Sequence, residues 1–139
     1  MRRPTAALAS VSDVTTVLLA CDDDDLAAVV DAAVVDADTR LARVTEGRLV
    51  LDAVDEVGAD VVVLDLQIGN MGGMATCRDL RLESGAGRLG PQRIIVLCDR
   101  DADVFLARQS GADAWLVKPL DAIRLRATID EVLATDPTA

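Results

Sequence analysis

Short apolar runs alternate along the chain with longer stretches in which apolar residues recur every three or four positions. Residues 17–21 (Val-Leu-Leu-Ala-Cys), 61–64 (Val-Val-Val-Leu), 94–97 (Ile-Ile-Val-Leu) and 114–117 (Ala-Trp-Leu-Val) are continuous apolar runs, and 41–44 is a weaker one. Runs of this length and β-branched content predict strands buried on both faces. Between them, Leu26, Val29, Val30, Ala33 and Val34 fall at helical spacing behind the acids 22–25. Leu49, Val50, Ala53, Val54 and Val57 do so before Gly58, and Met74, Cys77 and Leu80 mark a short third helix over 74–82. A fourth helix, capped by Asp101 or Asp103, is expected to run to about Gln109 and to close at Gly111. Asp121 is placed to cap a fifth, with Ile123, Leu125, Ile129, Val132 and Leu133 on it. Residues 84–92, with three glycines and Pro91, predict a loose connection.

Five strands alternating with five helices, joined by short connections, predict an α/β domain with a parallel sheet covered on both faces. The 139 residues suffice for one such domain, over 16–134, with 1–15 a loose leader and 135–139 a frayed tail or the start of a linker. Half the chain is apolar, mostly Ala, Val and Leu, and Phe105 and Trp115 are its only aromatics, so the core must be aliphatic. A net charge of −10 argues against nucleic-acid binding by this segment and against adhesion to an anionic membrane. No run approaches the length of a membrane span, and the N-terminus lacks the apolar stretch of a signal peptide. Cys21, Cys77 and Cys98 are odd in number and without framework spacing, and read as reduced thiols of a cytoplasmic protein.

In an open parallel sheet, ligands bind beyond the carboxyl ends of the strands. The polar groups expected there are Asp22, Asp23, Asp65, Cys98, Asp99 and Lys118. A buried strand that delivers Asp65 to its end needs a partner for that charge. Three bare carboxylates cannot converge without cost, and a hard cation such as Mg2+, which prefers oxygen ligands, resolves the repulsion. Lys118 is the single lysine beside thirteen arginines. A compact ammonium suits a point contact to a carboxylate or phosphoryl oxygen. Against this stands the plainer reading, that any tolerated basic residue landed there. A cis bond before Pro119 would turn the lysine toward the pocket.

The order Asp22-Asp23 after strand one, Asp65 after strand three and Lys118-Pro119 after strand five resembles the response-regulator receiver domain of two-component signalling, over 17 to about 134. The resemblance implies a doubly wound (βα)5 flavodoxin-like three-layer sandwich, with a five-stranded parallel sheet in the order 2-1-3-4-5. It implies that Asp65 accepts a phosphoryl group and that Asp22 and Asp23 hold Mg2+, Asp23 more directly, together with Asp65 and the Gln67 backbone carbonyl. Lys118 corresponds to the lysine that contacts the phosphoryl group, Trp115 to a switching aromatic, and Cys98 to the switching Thr or Ser. Implied partners are a histidine kinase or phosphotransfer protein as donor, a downstream effector protein or domain, and a second copy docked through the last two helices and strand five. Such a domain phosphorylates itself and is not a conventional enzyme.

Four residues depart from that pattern. Cys98 offers a thiol, a weak donor, in place of a hydroxyl, and its plainer reading, a small buried apolar residue at a strand end, is favoured over any redox role. Asp99 replaces a small residue and would repel an incoming phosphoryl group unless it points into solvent. Gly69 replaces a proline and is expected to loosen the loop. Trp115 is bulkier than the usual tyrosine; the plainer reading is a half-exposed packing residue on an edge strand. The alternative reading is a pseudo-receiver that binds partners or dimerises without phosphorylation. A phosphatase using Asp65 as nucleophile would want a second acid where Gln67 stands. A flavin carrier of the same fold would want uncharged donors where the Asp-rich first loop lies.

Overall fold

The computed structural model describes residues 14–137. The expected leader lies outside the described residues except for Val14 and Thr15, and residues 138 and 139 of the expected tail lie outside them too.

The strands are β1 (Thr15–Ala20), β2 (Thr39–Val44), β3 (Val61–Asp65), β4 (Ile94–Cys98) and β5 (Ala114–Val117). The helices are α1 (Asp24–Val34), α2 (Val50–Val57), α3 (Gly73–Gly85), α4 (Asp103–Gln109) and α5 (Ala122–Leu133), and one 3-10 turn, Gly47–Leu49, leads into α2. The five strands form one sheet in the order β2-β1-β3-β4-β5, and every pairing is parallel. This is the doubly wound flavodoxin-like arrangement expected.

Alternate residues along each strand feed two cores. Val17, Leu19, Val61, Val63, Ile95 and Leu97 pack against Val30 and Val34 of α1 and Leu125, Ile129 and Val132 of α5. Leu18, Ala20, Val62, Leu64, Ile94 and Val96 pack on the other face against Val50 and Val54 of α2, Cys77 and Leu80 of α3 and Ala107 of α4. No aromatic ring is fully buried in either core, so stability rests on many aliphatic side chains, each worth about 1.5–3 kcal/mol when fully removed from water.

Local chemistry sets the helix ends. Asp23 and Asp121 cap α1 and α5, each carboxylate accepting from two backbone amides. Gly58 ends α2 in the left-handed conformation (φ 64°). Two expectations need correction. Neither Asp101 nor Asp103 caps α4; Ala102 stands at that position without a side-chain cap, and the Asp103 carboxylate turns back to the Asp99 and Arg100 amides. The third helix extends beyond 82 to Gly85, and the chain after it is fastened: the Ser84 hydroxyl and the Gln92 side-chain Nε2 both donate to the Gly90 carbonyl.

Register places the site. Ala20 pairs with Leu64, Asp65 with Leu97, and Cys98 with Val117, so β1, β3, β4 and β5 deliver their carboxyl ends to one edge. The order reverses between β1 and β3, and the crevice outside that point is where open α/β sheets take ligands.

Candidate functional site

Asp65 ends β3 with only 2% of its surface exposed. Its Oδ1 accepts from Lys118 Nζ at 2.6 Å and from the Gln67 backbone amide at 3.2 Å. Its Oδ2 accepts no hydrogen bond among the described residues. Lys118 reaches it because β5 ends one residue earlier, with the Lys118 amide bonded to the Cys98 carbonyl at 2.9 Å. The Lys118–Pro119 bond is cis.

Asp99 does not point into solvent. Its Oδ1 accepts a second bond from Lys118 Nζ at 3.0 Å, and its Oδ2 accepts from Gln67 Nε2 at 2.6 Å. Burial alone would push the Asp99 carboxyl up, but the bonds from Lys118 and Gln67 outweigh it and hold the group below the ordinary carboxylate value. Burial likewise opposes the charge on Lys118, and the two carboxylates more than reverse it, raising the ammonium above the ordinary lysine value.

Asp22 and Asp23 are exposed beyond the end of β1. Asp22 Oδ2 accepts from the Gly69 amide at 2.9 Å, tying the first loop to the loop after Asp65. Asp23 Oδ1 accepts from the Asp25 and Leu26 amides. Asp24 and Asp25 lie in the first turn of α1, as helix-start acids should. Among the described residues, no three His, Cys, Asp or Glu side chains are gathered closely enough to hold a metal ion. The donors nevertheless suit a hard divalent cation in kind. Asp22 Oδ1, Asp23 Oδ2, Asp65 Oδ2 and the Gln67 carbonyl accept no hydrogen bond among the described residues, and all four are oxygens.

The loop after Asp65 is pinned, not loosened, and this corrects the expectation for Gly69. The Gly69 amide is taken by Asp22, and its carbonyl accepts from the Gly47 amide at 3.0 Å. A Cβ at residue 69 would come within 3.2 Å of Asp22 Oδ2, so the glycine makes room for that carboxylate. The Arg48 amide holds the Asn70 carbonyl at 2.9 Å, and Asn70 and Met71 take positive φ values of 49° and 85°. Such conformations cost non-glycine residues energy and persist only where neighbours over-determine them. Gly47 is that neighbour: a Cβ there would overlap the Met71 carbonyl oxygen.

Cys98 is fully buried among the aliphatic residues facing α2, α3 and α4, with burial foremost in pushing its thiol up to about 11. Cys77 is buried likewise, also at about 11, and all three cysteines are free. Trp115 lies half-buried on the edge strand, with the Arg108 guanidinium 5.5 Å from its ring centroid.

Three contributors to the site were not singled out from the sequence: the Gln67 side chain, Asp103 and Gly47. Gly47 left one signal, a glycine immediately before a helical pattern. Asp103 stood four residues after Asp99 and read only as a cap.

A family model described as the response regulator receiver domain matches residues 17–130. The chain is 32% identical over 119 residues to the sensory transduction protein RegX3 of Mycobacterium tuberculosis, covering 86% of this chain and 51% of that protein. It is 32% identical over 113 residues to the DNA-binding response regulator MtrA of Mycobacterium leprae, covering 81% and 48%. The chain thus spans about half the length of the curated relatives it matches. In fold it resembles a putative response regulator from Chloroflexus aurantiacus, with a TM-score of 0.79 at 21% identity, covering 88% of this chain and 99% of that one. With the order of its strands and the acids and lysine at their ends, the chain belongs to the response-regulator receiver domain family.

Proposed function

We propose that Asp65 is the phosphoryl acceptor of this receiver domain and that its phosphorylation changes which protein surfaces the domain binds. The observation that supports this most is the state of the Asp65 carboxylate. It is buried, oriented through one oxygen by Lys118 and the Gln67 amide, and left with the other oxygen uncommitted among the described residues. A carboxylate held in this way is a positioned nucleophile.

In the proposed step, a carboxylate oxygen of Asp65 forms a bond to phosphorus while the donor's P–N bond breaks. The electron pair goes to the departing imidazole of a phosphohistidine, on a histidine kinase or phosphotransfer protein. Lys118 would face the transferred oxygens as a fixed positive charge. Mg2+ held by Asp22, Asp23, Asp65 and the Gln67 carbonyl would neutralise phosphoryl charge. The chain would thus act as a self-phosphorylating signalling domain in the cytoplasm, not as a conventional enzyme. Cys98 and Trp115 would carry the response to the surface. Exposed Phe105 and Leu106 on α4 support docking of an effector or a second copy through α4, β5 and α5. Any DNA contact would belong to a further domain, since this segment carries a net charge of −10.

The test is intact mass after incubation with acetyl phosphate and Mg2+, beside the same reaction in EDTA and beside Asp65→Asn. One phosphoryl adduct is expected on the wild type with Mg2+ alone; labelling of Asp65→Asn would overturn the assignment. The phosphorylation-independent reading has its own support in the Asp99–Lys118 contact and the fully buried Cys98. It becomes the better one if no donor labels the wild type. A phosphatase is disfavoured, since the side chain where its acid would stand, Gln67, is bonded to Asp99.

A further inference from the structure

We infer that Asp99 is a gate on the acceptor site. It takes a second hydrogen bond from Lys118, Gln67 pins it in place, and a phosphoryl group reaching Asp65 must displace it. The inference rests on the reading of Asp65 as acceptor and concerns how readily that site is loaded.

An ammonium has three N–H donors, and Lys118 spends one on Asp65 and one on Asp99, at 2.6 and 3.0 Å. The other Asp99 oxygen takes Gln67 Nε2 at 2.6 Å. Asp99 therefore ties the residue after β5 to the loop after β3, from its own place at the end of β4. Its side chain is 30% exposed against 2% for Asp65, so it occupies the solvent side of the Asp65–Lys118 pair.

Nor is its backbone free to swing away. Asp103 accepts the Asp99 and Arg100 amides at 3.2 and 3.0 Å, and is itself 5% exposed and paired with Arg100. Asp103 positions the residue, Gln67 holds its carboxylate, and Lys118 is the group it withholds. An arriving phosphoryl dianion meets a negative charge where it would otherwise find an ammonium. Displacing it breaks two charge-assisted hydrogen bonds before the phosphoryl group makes its own.

The experiment compares the full chain with Asp99→Ala, Asp99→Asn, Gln67→Leu and the Asp99→Ala/Gln67→Leu double variant. Uptake from acetyl phosphate with Mg2+ is followed by intact mass. In that reaction the Asp65 O–P bond forms, the P–O bond to the acetyl group breaks, and acetate leaves with the electron pair. In parallel, beryllofluoride, a phosphoryl mimic that requires no bond cleavage from a donor, is titrated and followed by 19F NMR.

Asp99→Ala is expected to load about tenfold faster, equivalent to about 1.4 kcal/mol of barrier, and to bind beryllofluoride more tightly by a comparable factor. Asp99→Asn should fall between it and the wild type. Gln67→Leu should give a smaller gain alone and none on top of Asp99→Ala, as residues acting through one contact behave. If the wild type loads and the Asp99 variants stay within about twofold in both measurements, the gate is wrong and the acceptor reading stands. Faster loading without tighter beryllofluoride also overturns the gate, because release of Lys118 must move both. No adduct and no bound fluoride in any variant overturns the gate and the acceptor reading together.

Discussion

Removing either member of the Asp65–Lys118 pair should have unequal effects on stability. Asp65 is 2% exposed, and without Lys118 its carboxylate keeps a single backbone N–H at 3.2 Å. Breaking a buried ion pair from one side costs about 3–5 kcal/mol, because the other charge stays buried and uncompensated. Lys118 is 22% exposed, so water reaches the vacated space, and about 2–3 kcal/mol is expected for Lys118→Met. The converse, Asp65→Asn, leaves the ammonium bonded to Asp99 at 3.0 Å and still near solvent. It should cost less than about 1 kcal/mol. The double variant should be more stable than the two losses combined predict, with a coupling of about 1.5 kcal/mol. Urea unfolding followed by circular dichroism, in EDTA, measures all four corners of the cycle. At pH 7 the whole contribution of Lys118 is present. Its folded-state value is raised, so the contribution persists below the unfolded lysine value of about 10.4 and fades as pH rises through the folded one. The gap between the wild type and Lys118→Met should therefore narrow only as pH rises beyond the ordinary lysine value. Equal losses from Lys118→Met and Asp65→Asn, or a cycle additive within about 0.5 kcal/mol, would refute the view that Asp65 depends on this one partner.

Two further outcomes follow from packing. Gly47→Ala would drive a Cβ into the Met71 carbonyl, so it should cost about 1–3 kcal/mol in urea and slow loading of Asp65 by moving the loop that carries Gln67; unchanged stability would mean that the loop yields freely. Cys77 and Cys98 titrate near 11 against an ordinary 9.0, so at pH 8 the thiolate loss alone should slow their alkylation by iodoacetamide about 100-fold relative to the urea-unfolded chain. Rapid labelling of Cys98 in the native protein would show that the end of β4 opens to reagent.

The alternation of apolar runs with helical spacing was legible because both faces of every central strand are buried. The run 61–64 has no polar face to betray, and its burial is complete. Helix ends were legible where one side chain acts on its own neighbours, as Asp121 does. They were not legible where the same residue type had a competing partner. Asp103 has the makings of a cap, yet two amides at the end of β4 outbid its own helix for it. The 3-10 turn at Gly47 was hidden for a related reason. Its role lies in a contact with Met71, twenty-odd residues away, and nothing in the local pattern reports that approach.

The carboxyl edge of the sheet shows the same division more sharply. That Asp22, Asp23, Asp65 and Lys118 would gather at one edge follows from their positions just after strands, since parallel strands all deliver their carboxyl ends to one side. Which of them touch depends on register, and register is a property of pairs of strands. Asp99 and Gln67 stand 32 residues apart, and their bond exists because Asp65 pairs with Leu97, which sets the residues after β3 and β4 side by side. Taken singly, the departures at residues 69 and 99 looked like defects: a slack loop and a repelling charge. In the folded chain each is matched by a neighbour. Gly69 admits the Asp22 carboxylate, and Asp99 is answered by both Lys118 and Gln67. With Asp65 as the proposed acceptor, matched departures of this kind argue for a site adjusted in how easily it is loaded, not for one that has decayed.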